Sequence, residues 1–110
     1  MAKKKSKSGF RKGFRKMNNR KIDKRSHPTY VYARVGDDFK YLGITHAKIT
    51  DGIKNIPLEK NPNPKDKRSA YVRPHAQQAN RSKFGKGLNS WKFSDKDKEK
   101  IKTLIDKDKR

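Results

Sequence analysis

The chain has 110 residues, 29% hydrophobic and 39% charged, with 32 Lys and Arg against 11 Asp and Glu for a net charge of +21. Such a length holds at most one domain, and the apolar share is too small to give all of it a core. No run approaches the roughly 20 apolar residues of a spanning helix, and zero cysteines exclude a disulfide framework and a thiolate metal site; the expectation is a soluble, cytoplasmic protein with no membrane partner.

Residues 1–25 hold twelve basic residues and one acidic, with no apolar periodicity. Gly9-Phe10-Arg11-Lys12 is followed at once by Gly13-Phe14-Arg15-Lys16, a four-residue duplication. This composition predicts a disordered basic N-terminal tail over 1–25. In it Arg11, Lys12, Arg15, Lys16, Arg20, Lys21 and Arg25 would meet phosphates, while Phe10 and Phe14 stack on unpaired bases. Stacking favours RNA over duplex DNA. A plain solvated tail is the equal alternative.

A folded domain is expected over 26–110. Pro28 suits the first residue of a strand and pushes His27 into extended backbone. In the stretch Pro28 to Thr45, Val31, Ala33 and Val35 alternate with Tyr30, Tyr32 and Arg34. After the turn residues Gly36-Asp37-Asp38, Leu42 and Ile44 oppose Phe39, Tyr41 and Gly43. Two period-two runs around a short Gly/Asp connection predict a hairpin. Thr50-Asp51-Gly52 is a turn, and Ile53 to Leu58 a short edge strand weakened by Pro57. Asn61-Pro62-Asn63-Pro64 reads as extended loop. Ser69 to Arg73 forms another strand, and the polar residues 75–90 a long loop. Ser94 caps a helix over 95–107, with Asp97 placed to complete a capping box. Ile101, Leu104 and Ile105 form its apolar stripe, and Trp91 and Phe93 anchor it. The fold class is mainly β with α: a small twisted antiparallel sheet or partly open barrel, with a C-terminal helix.

Residues 26–91 alone hold twelve basic residues against five acidic, including Arg34, Arg68, Arg73, Arg81, Lys83 and Lys86. A field of this sign points to nucleic acid or a ribonucleoprotein as partner. The three histidines lack short metal-ligand spacing, and no Walker loop, nucleophile elbow or paired-carboxylate signature occurs. No metal or cofactor is expected.

His27-Pro28 leading into Tyr30-Val31-Tyr32, a turn, then Tyr41-Leu42-Gly43-Ile44-Thr45, resembles the core of PemK/MazF-type proteins. These are small twisted barrels with a C-terminal helix, many of them metal-independent RNA-cleaving toxins. The later Ile56-Pro57-Leu58, Tyr71-Val72-Arg73 and Trp91 to Ser94 follow the family's order. The resemblance implies a cleavage site at His27 and Thr45, and a homodimer, which mutual repulsion at this charge opposes. It departs from the family where His27 stands in place of arginine, and where the basic tail replaces the opening strand. Metal-free cleavage needs a general acid and base and a positive charge on the phosphorane: His27 for the first, with Arg25, His46 or Lys48 for the charge and Thr45 to orient a phosphate. Three functions stay open. The favoured one is a non-catalytic or weakly catalytic nucleic-acid-binding module; the alternatives are a toxin-type endoribonuclease and a mobile-element-encoded basic inhibitor of a host nucleic-acid enzyme.

Overall fold

A computed structural model describes residues 12–18 and 26–108. The long hairpin stands at its centre: β2 (Ser26–Val35) and β3 (Asp38–Thr45) pair antiparallel, ending in the facing pair Val35 and Asp38. Only Gly36 and Asp37 lie between, and Gly36 takes a φ of 61° that an L side chain resists. The register shifts between Val31 and Ala33, so strict alternation fails there. This bulge turns both Tyr32 and Ala33 towards one core, with Tyr30, while Val31 joins the other. Alternation along the sequence alone had grouped Val31 with Ala33.

The expectation of a disordered tail over 1–25 is overturned at Gly13–Asn18, which form β1 against β2, Phe14 facing Tyr30 and Met17 facing His27. Phe14 supplies the reason. It is 5% exposed, and its ring centroid lies 4.7 Å from that of Phe93, 5.1 Å from Tyr30 and 5.8 Å from Trp91. One buried aromatic among three others, together with ladders to β2 and β9, works against the ordering cost of a short strand. The domain therefore includes Gly13, and a strand precedes β2 where the basic tail was expected.

The main sheet runs in the order β6-β7-β3-β2-β1-β9, with β8 also paired to β3. Here β6 is Ile56–Pro57, β7 Tyr71–Val72, β8 Gln77–Asn80 and β9 Phe84–Gly87. A separate hairpin joins β4 (Ile49–Thr50) to β5 (Ile53–Lys54). The predicted strand Ile53 to Leu58 is thus two pieces in different sheets, and 75–90 is not a loop but carries β8 and β9. Both were hidden because QQAN and FGKG each carry one apolar residue, Ala79 and Phe84, and so show no alternation. β8 and β9 lie at different edges yet are joined by one 3-10 turn, Arg81–Lys83. The sheet consequently curls: Phe84 of β9 meets Phe39 and Tyr41 of β3 at 5.2 and 5.3 Å. No ladder joins β8 to β9 among the described residues, so the antiparallel sheet stays open rather than closing into a barrel.

The other face is covered by α1 (Asp95–Asp108), which buries Ile101 and Leu104 in the core of Phe14, Tyr32, Leu42, Ile44 and Val72. Ser94 caps it, its Oγ accepting the Asp97 N–H at 3.2 Å. Asp97 does not complete a capping box. It is fully buried, and its carboxylate instead accepts the N–H groups of Glu59 and Lys60 at 2.8 and 3.2 Å, tying the loop after β6 to the helix start. At the far end, Asp108 accepts from the Tyr32 hydroxyl at 2.6 Å and Lys40 Nζ at 2.8 Å, pinning the last turn to the hairpin.

Candidate nucleic-acid interface

Charge is sorted along this fold. Residues 24–36 and 67–94 contain no Asp or Glu; they supply β2, β7, β8, the 3-10 turn and β9, and β1 is likewise free of acids. The acids of the described residues sit at the hairpin tip, in the β4–β5 turn, in the loop 59–66 and on α1. Most are neutralised locally. Asp108 pairs with Lys40 at 2.8 Å, and Asp66 is gripped by Arg68 at 3.0 and 2.8 Å, which holds its carboxyl well below the usual range. α1 carries five acids and five lysines, hence no net charge.

On the curled face the register builds a row of candidate side chains. Arg15 faces Thr29, which in turn faces Gly43. The Arg15 guanidinium lies 5.5 Å from the Phe39 ring centroid and donates to the Gly85 carbonyl at 3.2 Å. Both contacts orient a fork that keeps further donors for a phosphate. The buried Thr29 hydroxyl donates to the Arg15 carbonyl at 2.9 Å and fixes the backbone beneath. At the row's other end, Arg73 donates its N–H to the Gly43 carbonyl at 2.9 Å, and its side chain lies over Gly43. A Cβ on Gly43 would stand 3.1 Å from Arg73 Cγ. Gly43 is a notch that lets Arg73 lie across β3, a role invisible in the sequence, where it read as one more strand position.

The next position along each strand holds the two expected catalytic residues. The β2–β3 ladder ends at Thr29 facing Gly43, and two residues further stand His27 on β2 and Thr45 on β3, both on the curled face by alternation. His27 is exposed; Thr45 is half-buried, and its hydroxyl accepts the Ala47 N–H at 3.1 Å. The register thus brings His27 and Thr45 to the same end of the face as Arg15 and Arg73. It does not bring His46, whose ring contacts the Ser69 carbonyl at 3.0 Å and Asp66 at 3.3 Å on the outer loop. Lys48 is exposed in the connection to β4, and Arg25 lies outside the described residues.

The expected phosphate-binding residues divide into three groups. Arg81 and Lys83 are exposed on the 3-10 turn, which Asn80 caps by accepting the Ser82 N–H; Lys86 follows in β9, and Lys12 and Lys16 are exposed near and on β1. Arg34 and Arg68 are engaged within the protein, Arg34 Nε donating to the Gly36 carbonyl at 2.8 Å and Arg68 pairing Asp66. Phe10, Arg11, Arg20 and Lys21 lie outside the described residues. Phe14, expected to stack on a base, is instead a core residue, because the core offers it more contact than solvent or a ligand could.

Among the described residues no group of three or more His, Asp or Glu could hold a metal ion. No helix among them is long and apolar enough to cross a membrane. No family model, curated protein or solved structure matches the chain.

Proposed function

We propose that this protein binds single-stranded nucleic acid, RNA ahead of duplex DNA, in the cytoplasm and without a cofactor. The observation that carries this reading is the sorting of charge: β1, β2, β7, β8 and β9 are free of acids, while the acids gather on the tip, the outer loop and α1. Polyanion affinity comes chiefly from cations that neutralise phosphates, and Arg15, Arg73, Arg81 and Lys83 supply them across the curled sheet and its turn. A docked helix with no net charge argues against major-groove reading of a duplex, which takes a protruding basic helix or ribbon. The test is fluorescence anisotropy with single-stranded RNA, single-stranded DNA and duplex DNA of equal length over a range of salt. The intact protein binds the single strands more tightly. The Arg15→Ala/Arg73→Ala double variant binds them more weakly, with a salt slope flatter by about 1–2 for two lost phosphate contacts. A double variant with parental affinity and slope would place binding elsewhere.

One observation favours a second reading, a metal-independent endoribonuclease like the PemK/MazF-type proteins that the hairpin resembles. His27 and Thr45 share one end of one face with Arg15 and Arg73. There His27 could shuttle the proton of the attacking 2′-hydroxyl, while the arginines stabilise charge on the phosphorane. Incubation with mixed RNA in EDTA decides it. Fragments that vanish in His27→Ala establish cleavage at this site; intact RNA leaves binding alone.

A further inference from the structure

On the helix side, away from the curled face, a groove of about 580 Å³ opens between the loop 58–70 and the segment 90–94. Its floor is apolar: Leu58, Ala70 and Phe93, all members of the core. Its rim is cationic, with Lys60, Lys67 and Lys92 exposed and without an ion pair among the described residues. The two acids of the lining are already matched, Glu59 by Lys96 at 3.6 Å and Asp66 by Arg68 at 2.8 Å. Three uncompensated positive charges therefore face one opening.

The groove is also held in shape. The loop has no strand of its own, yet hydrogen bonds brace it throughout. Leu58 N–H donates to the Ala70 carbonyl at 3.0 Å, Asn61 Nδ2 to the Arg68 carbonyl at 3.1 Å, and Asp66 N–H to the Asn63 carbonyl at 3.1 Å. The opposing wall is tied on by Lys92 N–H donating to the Pro62 carbonyl at 3.2 Å, and the base of the loop by the fully buried Asp97. A polar, proline-containing loop gains little from burial, so fixing it this firmly serves a preformed site.

We infer that this groove binds a single nucleotide unit, its phosphate on Lys60, Lys67 and Lys92 and its base against the Leu58–Phe93 floor. The volume falls within the about 300–1,000 Å³ of small-molecule sites, and its three apolar floor residues lie within a mostly polar lining that suits a charged ligand. Phosphate alone would satisfy the rim but not the floor, and an apolar ligand the reverse. The unit could be a free nucleoside monophosphate or the phosphorylated end of a strand. The site stands apart from the strand face and does not rest on it.

Trp91 does not line the groove, so binding is read by isothermal titration calorimetry rather than by its fluorescence. Titration of the full chain with adenosine and uridine 5′-monophosphates should give a saturable change. Inorganic phosphate and the unphosphorylated nucleosides should each bind at least about tenfold more weakly. Lys67→Ala/Lys92→Ala, which alters only exposed side chains, should weaken nucleotide binding by at least about tenfold with thermal unfolding unchanged. An oligonucleotide whose terminal phosphate raises its ability to displace the monophosphate identifies a strand end as the natural source. One whose terminal phosphate adds nothing identifies the free nucleotide. No saturable change, equal binding of inorganic phosphate, or a double variant with parental nucleotide affinity would each overturn the inference. The strand-face variant is scored on oligonucleotide affinity, so the two sites can fail separately.

Discussion

Phe14→Ala is the sharpest test of where the domain begins. If Gly13–Asn18 belonged to a mobile tail, this substitution would leave stability untouched. In the structure Phe14 is 5% exposed and its ring lies within 5.8 Å of three aromatic rings, those of Tyr30, Trp91 and Phe93. Truncating a buried Phe costs about 3–5 kcal/mol, through lost transfer free energy and the cavity left behind. The site can collapse only partly, because Tyr30 and Phe93 are themselves fixed in mutual contact at 5.0 Å; an expected loss of about 4 kcal/mol follows. Against a total stability of about 5–15 kcal/mol, that is a large fraction. Urea unfolding followed by Trp91 fluorescence measures it directly, since Trp91 touches the substituted side chain. The midpoint should fall at an unchanged slope. A loss below about 1 kcal/mol would return Phe14 to the surface and remove β1 from the fold. Phe10→Ala, at the same position of the first repeat, is the matched comparison.

Leu104→Ala should cost about 2–5 kcal/mol in the same assay, because Leu104 is 7% exposed and packs α1 onto the sheet. The Asp108 carboxyl is held below its ordinary value by Lys40 and then by the Tyr32 hydroxyl. Its contribution to stability is present above the unfolded carboxylate pKa of about 4 and is lost as pH falls through the lower folded value; Asp108→Asn should remove that part of the acid sensitivity in unfolding curves recorded against pH. Gly43→Ala should change stability by less than about 1 kcal/mol, since only the flexible Arg73 stem must give way. It should nonetheless weaken single-strand binding measured by anisotropy about as much as Arg73→Ala does, and parental affinity would deny the notch its role.

The hairpin was legible because β-rich runs around a Gly-Asp turn state both strand and connection, and α1 because Ile101, Leu104 and Ile105 recur at helical spacing between a capping Ser94 and a basic end. β1 was not. In GFRKMN only Phe14 and Met17 are apolar, and they fall on opposite sides of a strand whose charge hides both. β8 and β9 escaped for a related reason: as edge strands they are specified by pairing to β3 and β1 rather than by their own side chains. For the site, the resemblance set His27 beside Thr45, but the sequence could not join Arg73 to them, because Arg73 reaches the row only through the Gly43 notch. His46 read as one of three groups that could supply positive charge to that site, yet the chain leaves the sheet there and its ring lies 3.3 Å from Asp66 on the outer loop.

A net charge of +21 on 110 residues gives the protein two salt dependences of opposite sign. In the free protein like charges repel, and the repulsion falls away when the Debye length shrinks from about 30 Å at 0.01 M salt to about 10 Å at 0.1 M. Stability of the free chain should therefore rise with salt over that range, because among the described residues the local pairs that salt weakens, such as Lys40 with Asp108, are fewer than the cations without one. Binding behaves inversely. Each neutralised phosphate on a single strand contributes about −0.7 to the slope of log K against log salt, so about eight contacts give a slope near −6. A bound strand also stabilises the fold by mass action, and that increment must fade as affinity falls. Thermal unfolding with and without a single-stranded oligonucleotide should give two curves against salt, one rising and one falling, that meet where binding ceases. Parallel curves would mean that the strand binds without neutralising charge, and a free-protein curve that falls with salt would mean that the internal ion pairs outweigh the repulsion.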